Sequence, residues 1–297
     1  MVAVGWVPSD TTPSGQARAH QRITATLAKL RFIDPPCALC VRGDLQVTGS
    51  SVVNSRADTS CGNKAGTYTT GSVDIGSGAA SVYGANGTTG AGNVQGDNLT
   101  GAFDIVRPDA GDAAEAQAFR DNFDAFAYTN NELDALKAIA KASGTYYQGA
   151  VTFNSSNPMP DGIIFIDTTT GNNITPSTPS SEFADVRLSG NAGTGPGNTF
   201  SGWVIANGTL RIDGNVKIKG MAYAVNDLSY QGTGTGQIEG LVVSQNVRDV
   251  VATQIYDSTT TGNSAITFNC NYAKTGNGKI PQNWFVKAGS YKEVSDP

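Results

Sequence analysis

The chain has 297 residues, a net charge of −5, only 15% charged residues and 36 glycines, richer in glycine and poorer in charge than average soluble proteins. A hydrophobic fraction of 39% with only 12 prolines excludes a disordered linker, and the dispersed Lys and Arg offer no basic stripe, which excludes nucleic acid as a partner. Glycine, Asn, Ser and Thr scattered among short Val/Ile/Leu runs predict an all-β chain with frequent turns.

Residues 1–36 read as a connecting segment. Met1–Val7 is too short for the apolar part of a secretory leader and lacks a basic start. No run approaches the length needed to span a bilayer, so an anchor or signal is expected upstream of Val2. Ile23, Ala25 and Leu27 alternate with Thr24, Thr26 and Ala28 as in a strand, while Ile23, Leu27 and Leu30 also fit one helix face. Pro35-Pro36 ends either element.

From Cys37 to about residue 108 the strands are short: Leu45–Gly49, Ser51–Asn54, Ser72–Gly76 and Ser81–Gly84, each closed by a turn former. This staccato text predicts a first solenoid section with coils of about 20 residues. Arg42-Gly43-Asp44 matches an integrin-binding tripeptide but reads as a turn between two strands. Residues 109–149 change character. Phe119, Phe123 and Phe126 define one face of a helix starting near Asp112, and Thr129-Asn130-Asn131-Glu132 fits a capping box. Leu133, Leu136 and Ala140 stripe a second helix ending at Gly144. This inserted helical hairpin is expected to cap a sheet edge.

The main solenoid section is expected over 150–297. Ile163–Ile166 suits a strand buried on both sides, and residues 168–200 read as loop. Gly202–Gly208, Thr209–Gly214, Asn215–Gly220, Met221–Val225 and Gln237–Ser244 carry the clearest coil pattern, with Asn and Gly at the corners. The fold expected is a parallel, right-handed β-helix.

Four cysteines, Cys37, Cys40, Cys61 and Cys270, allow two disulfides in three connectivities. Cys37-Ala-Leu-Cys40 lacks the strand-to-helix setting of a redox site, and His20, the only histidine, is not spaced for zinc. Cys40 and Cys61 are about one guessed coil apart, which predicts a Cys40–Cys61 bridge and leaves Cys37 with Cys270.

The sequence carries no recognisable catalytic constellation. The acids of the main section, Asp213, Asp227, Glu239 and Asp257, stand singly in sequence, with no adjacent pair for glycoside hydrolysis. A lone His20 without a nucleophile elbow does not make a hydrolase. Gly193–Gly197 lacks the Lys of a phosphate loop, and no calcium-loop pattern occurs. No catalytic residue, metal or cofactor is assigned.

Gly202–Gly208, the stretch Gly220–Gly236 with Ile238-Glu239-Gly240, and the ending Ile280–Val294 resemble bacterial PilX-type pilus assembly proteins, as do Gly5–Ser9 and Gly144–Gly149. The resemblance implies a minor pilin-like part of a type IV pilus machine. Its location would be extracellular, its partners pilins and other pilus components, and its membrane attachment an N-terminal helix that these residues do not contain. It implies no catalytic residues. Two rivals come from other classes: a polysaccharide-acting β-helix enzyme and a free-standing adhesin binding surface glycans.

Overall fold

A computed structural model of the protein describes residues 2–6, 20–24, 27–86, 95–96, 102–249, 256–282, 284–286 and 292–294. Its contacts divide the chain into two compact units, 1–31 with 282–297, and 32–281. This grouping differs from the four sequence segments, since the C-terminal residues from Gln282 join the N-terminal ones. In the small unit, Val2–Trp6, His20–Thr24 and Lys292–Val294 form an antiparallel sheet, and Leu27–Lys29 pairs with Trp284–Val286. Strand periodicity therefore prevails over the helical alternative in this segment.

The large unit is a solenoid-like stack of two parallel sheets. One runs, in spatial order, through Tyr146–Gln148, Gly162–Asp167, Thr199–Ala206, Lys217–Ala224, Gln237–Ser244, Cys37–Val41, Ala65–Thr69, Ile105–Val106 and Gln95–Gly96. The other runs through Ala150–Phe153, Ala184–Ser189, Gly208–Gly214, Leu228–Gly232, Ser258–Gly262, Leu45–Gly49 and Val73–Gly78. From Thr199 onward the chain alternates between them, coil after coil.

The order is not the order of the sequence. The coil ending at Phe268 stacks on the coil that begins at Cys37: Val242 pairs with Leu39, Ser258 with Leu45 and Ile266 with Val53. The two solenoid sections read from the sequence are thus one stack, joined at a seam between chain-distant coils. Helices and loops carry the chain from Val106 to the opposite end at Tyr146.

At Gly240 the first sheet forks. Ile238–Gly240 pairs with Ile266–Phe268, whereas Val242–Ser244 pairs with Leu39–Val41. The fold line is a ladder of glycines in register, Gly162, Gly202, Gly220 and Gly240, all at positive φ. A Cβ on Gly220 would lie 1.7 Å from the Gly202 carbonyl oxygen, so neighbouring coils approach as only glycine permits.

Alternation sets the packing. Val204, Ala206, Ala222, Ala224 and Val242 face inward and share one core with Leu210, Ile212 and Leu228 of the second sheet and with Phe200, Ile218 and Ile266 beyond the fold line. The outward partners Phe165, Trp203, Met221 and Tyr223 are large, yet also buried. Helices cover them. Helix α1 (Ala113–Phe126) is capped by Asp112, and α2 (Asn130–Ser143) has the Thr129/Glu132 capping box and an αL Gly144. The Tyr68 ring stacks on Phe119 at 5.1 Å and its hydroxyl donates to the Phe119 carbonyl; Tyr128 N donates to the Tyr223 hydroxyl. A short helix, α3 (Cys270–Thr275), receives the Trp203 indole N–H on the Ala273 carbonyl at 2.8 Å.

The hairpin therefore lies across the sheet's outer face rather than capping an edge. That is why the run Ile163–Asp167 is buried on both sides.

Cys37 bonds Cys40, and Cys61 bonds Cys270. The expected pairs Cys40–Cys61 and Cys37–Cys270 do not form. Glycines of the main section recur every 18 and 20 positions (202, 220 and 240), near the guessed coil, but Cys37 pairs with Ala65 and Cys40 with Tyr68, a step of 28. Cys61 consequently falls in the connection before Ala65, where it meets Cys270 from the other side of the seam.

Candidate functional site

The corner that leads into the second sheet brings acids together. Leu210, Leu228, Ser258, Leu45 and Val73 are in register, so the residues before them, Thr209, Asp227, Asp257, Asp44 and Ser72, form one column. Three successive coils thus carry aspartate at one position, with coils about 4.8 Å apart. The ladder crosses the seam between Asp257 and Asp44.

The carboxylates of Asp257 and Asp44 lean toward the following coil. Asp44 N donates to Asp257 Oδ2 at 2.7 Å, and Ser72 N and Oγ donate to Asp44 Oδ1 at 2.5 and 2.7 Å. Glycines make the room: a Cβ at Gly43 would lie 2.1 Å from Asp257 Oδ2, and one at Gly71 2.4 Å from Asp44 Oδ1. Arg42-Gly43-Asp44 is indeed a turn between two strands, with its Gly dictated by the carboxylate above it. The Arg42 Nε turns away to Asp124 at 3.0 Å.

Burial, followed by the charges of Asp257 and Asp249, pushes Asp227 up to about 7. Burial also raises Asp257, with the Asp44 and Asp249 charges adding to it and a hydrogen bond from Asp44 opposing it. Beside the ladder the corner asparagines Asn226 and Asn246 are buried, and Asn226 accepts from Arg248 N at 3.1 Å. A cleft of about 340 Å³ opens alongside, lined by Arg42, Asp124, Tyr128, Ile174, Gln245 and Val247.

Of the four acids read from the sequence as single, Asp227 and Asp257 are neighbours and Asp44 joins them. Asp213 is elsewhere, held between Arg187 and Arg211 at 2.8 and 3.0 Å. Glu239 sits on a different strand, in register with Lys219. The missed signal is a hexapeptide: Asp44–Gly49, Asp185–Gly190, Asp227–Gly232 and Asp257–Gly262 all read Asp-x-x-x-x-Gly, and Thr209–Gly214 occupies the same register. Among the described residues, no group of three or more His, Cys, Asp or Glu is arranged to hold a metal ion. The hydrogen bonds inside the ladder are those of coil corners.

A second polar constellation lies under the hairpin. Asp167, fully buried, accepts from Lys137 Nζ at 2.8 Å, from the Tyr146 hydroxyl at 3.0 Å and from Asn207 Nδ2 at 2.7 Å. It clamps α2 to the strand Gly162–Asp167. No protein-family model, characterised protein or solved structure matches the sequence.

Proposed function

We propose that this chain is the non-enzymatic extracellular domain of a PilX-type pilus assembly protein, a minor pilin-like component acting in pilus biogenesis or surface adhesion. The observation that carries the reading beyond the sequence resemblance is the pair of disulfides, one of them tying chain-distant coils. Such bonds persist in oxidising compartments, as expected of an exported domain. In this reading the coils wind as a closed right-handed β-helix, the hand that parallel crossovers adopt.

In this reading attachment comes through the hydrophobic N-terminal helix that the resemblance implies; among the described residues no helix is long and apolar enough to cross a membrane. Pilins and other assembly components are the partners. Surface glycans would meet the outward polar side chains of the second sheet, Arg187, Arg211, Gln231 and Thr261 among them. Deleting the gene should reduce surface piliation or adhesion, and complementation with residues 1–297 alone should not restore it. A deletion strain with unaltered pili and adhesion would end the proposal.

One observation favours a second reading. Two neighbouring carboxylates of raised pKa, Asp227 and Asp257, are the kind of pair a glycan-cleaving enzyme employs. As a non-enzymatic domain, the purified chain should release no reducing ends from polysaccharides. Release that is abolished by Asp227→Asn would transfer the assignment to an enzyme.

A further inference from the structure

Lys137 enters the interior from α2 and keeps only 9% of its side-chain surface, while Asp167 keeps none. Burying an unreacted ion pair is costly in desolvation, and here the pair sits against an aromatic ring, with Nζ 5.6 Å from the centre of Phe165. The surrounding groups are disposed for more than charge balance. Asp167 Oδ1 accepts from Asn207 Nδ2 at 2.7 Å and from Thr168 N at 2.9 Å, two fixed N–H donors on one oxygen. Asp167 Oδ2 faces Lys137 Nζ at 2.8 Å and the Tyr146 hydroxyl at 3.0 Å. The carboxyl group therefore has one oxygen held as in an oxyanion hole and the other beside two proton donors.

We propose that Lys137 and Asp167 condense to an intramolecular isopeptide bond, a self-made covalent cross-link between α2 and the first long strand of the stack. Proton transfer from the Lys137 ammonium to Oδ2 frees the amine as a nucleophile and leaves the carboxyl group protonated. Nζ attacks Cγ, and the charge developing on Oδ1 is taken by Asn207 Nδ2 and Thr168 N. A second proton passes from Nζ to the departing hydroxyl, directly or through Tyr146, and one water leaves. The Nζ–Cγ bond forms, the Cγ–Oδ2 bond breaks, and no oxidant or cofactor is needed.

Tyr146 suits a relay because its hydroxyl stays protonated, pushed up to about 12 by burial and then by its bond to Asp167. Holding amine and carboxyl group within hydrogen-bond distance supplies the effective concentration that amide formation lacks in water.

Intact mass spectrometry of the reduced full chain tests this. The expected mass is lower than that of the sequence by one water, and trypsin should yield a branched peptide joining the segments that contain Lys137 and Asp167. Lys137→Arg keeps the positive charge but does not condense under these conditions. It should show the full sequence mass, a wild-type far-ultraviolet spectrum and a lower melting temperature. A wild-type chain of unaltered mass, cleaved by trypsin after Lys137, overturns the proposal, as does a water loss that persists in Lys137→Arg.

Discussion

Replacing Gly220 by alanine isolates what the glycine ladder does. Gly220 has φ +155°, and an added Cβ would meet the Gly202 carbonyl oxygen at 1.7 Å and its carbon at 2.7 Å. Two costs combine. The backbone conformation itself disfavours any side chain by about 1–3 kcal/mol. Relieving the contact then requires the coils to part by more than an ångström, breaking ladder hydrogen bonds worth about 1 kcal/mol each. Gly162 separates the two. It stands at the ladder's end with φ +116°, and a Cβ there would meet nothing within 4 Å. The reason is topological: Tyr146–Gln148 pairs only with Phe165–Asp167, leaving no coil above Gly162. Gly162→Ala should therefore cost about 1–3 kcal/mol and Gly220→Ala about 2 kcal/mol more. Urea denaturation followed by circular dichroism measures both. Equal losses in the two variants would show that close approach of the coils is not what selects glycine.

Two further substitutions test the core and the acidic corner. Thr260, 1% exposed, points into the core a hydroxyl that has no hydrogen-bond partner among the described residues, so Thr260→Val should raise the unfolding free energy by about 1 kcal/mol, and a loss of stability in urea would contradict the burial argument. Asp227 is raised in the folded state, so the folded chain binds protons more readily than the unfolded one; stability should rise as pH falls from 8 toward 5, and a melting series in which Asp227→Asn shows the same rise would remove Asp227 as its source.

Much of the fold was legible where local chemistry decides it. The capping box at Thr129, the αL Gly144 and the Phe119/Phe123/Phe126 face are properties of a few neighbouring residues, and the helices begin and end there. Short strands punctuated by Gly and Asn announced parallel coils for the same reason. What the sequence withheld is non-local. Nothing in Cys37–Val41 states that its neighbour is Gln237–Ser244, some 200 positions away in the chain. With the stacking order hidden, Asp227 and Asp257 looked solitary, Asp44 read only as part of a turn, and the hairpin looked like an edge cap. The Asp-x-x-x-x-Gly hexapeptide was present, but its spacing varies with the connections between coils, so a search for a fixed period misses it. Outward-facing Trp203 and Tyr223 were equally unreadable, because their burial depends on helices from elsewhere in the chain.

The seam also determines which disulfide matters. Cys37–Cys40 closes a loop of 3 positions within one coil, whereas Cys61–Cys270 closes one of 209 and joins the coils on either side of the seam. The chain-entropy relation assigns about 2 kcal/mol to the first and about 5 kcal/mol to the second. Around the long bridge, Asp58 Oδ2 accepts from Cys270 N at 2.7 Å and the Ser264 hydroxyl meets that of Ser51 at 2.8 Å, contacts that hold only while the seam is closed. Cys61→Ser with Cys270→Ser should therefore lower stability by about 3 kcal/mol more than Cys37→Ser with Cys40→Ser. The loss should fall first on the seam. Hydrogen exchange would rise at Val242–Ser244 and Leu45–Val47 before it rises at Val204–Ala206, which pairs within the continuous stack. Uniform loss of protection across all coils, or equal destabilisation by the two double variants, would mean that the junction between distant coils is as firm as any other, and that the long bridge is not what keeps it shut.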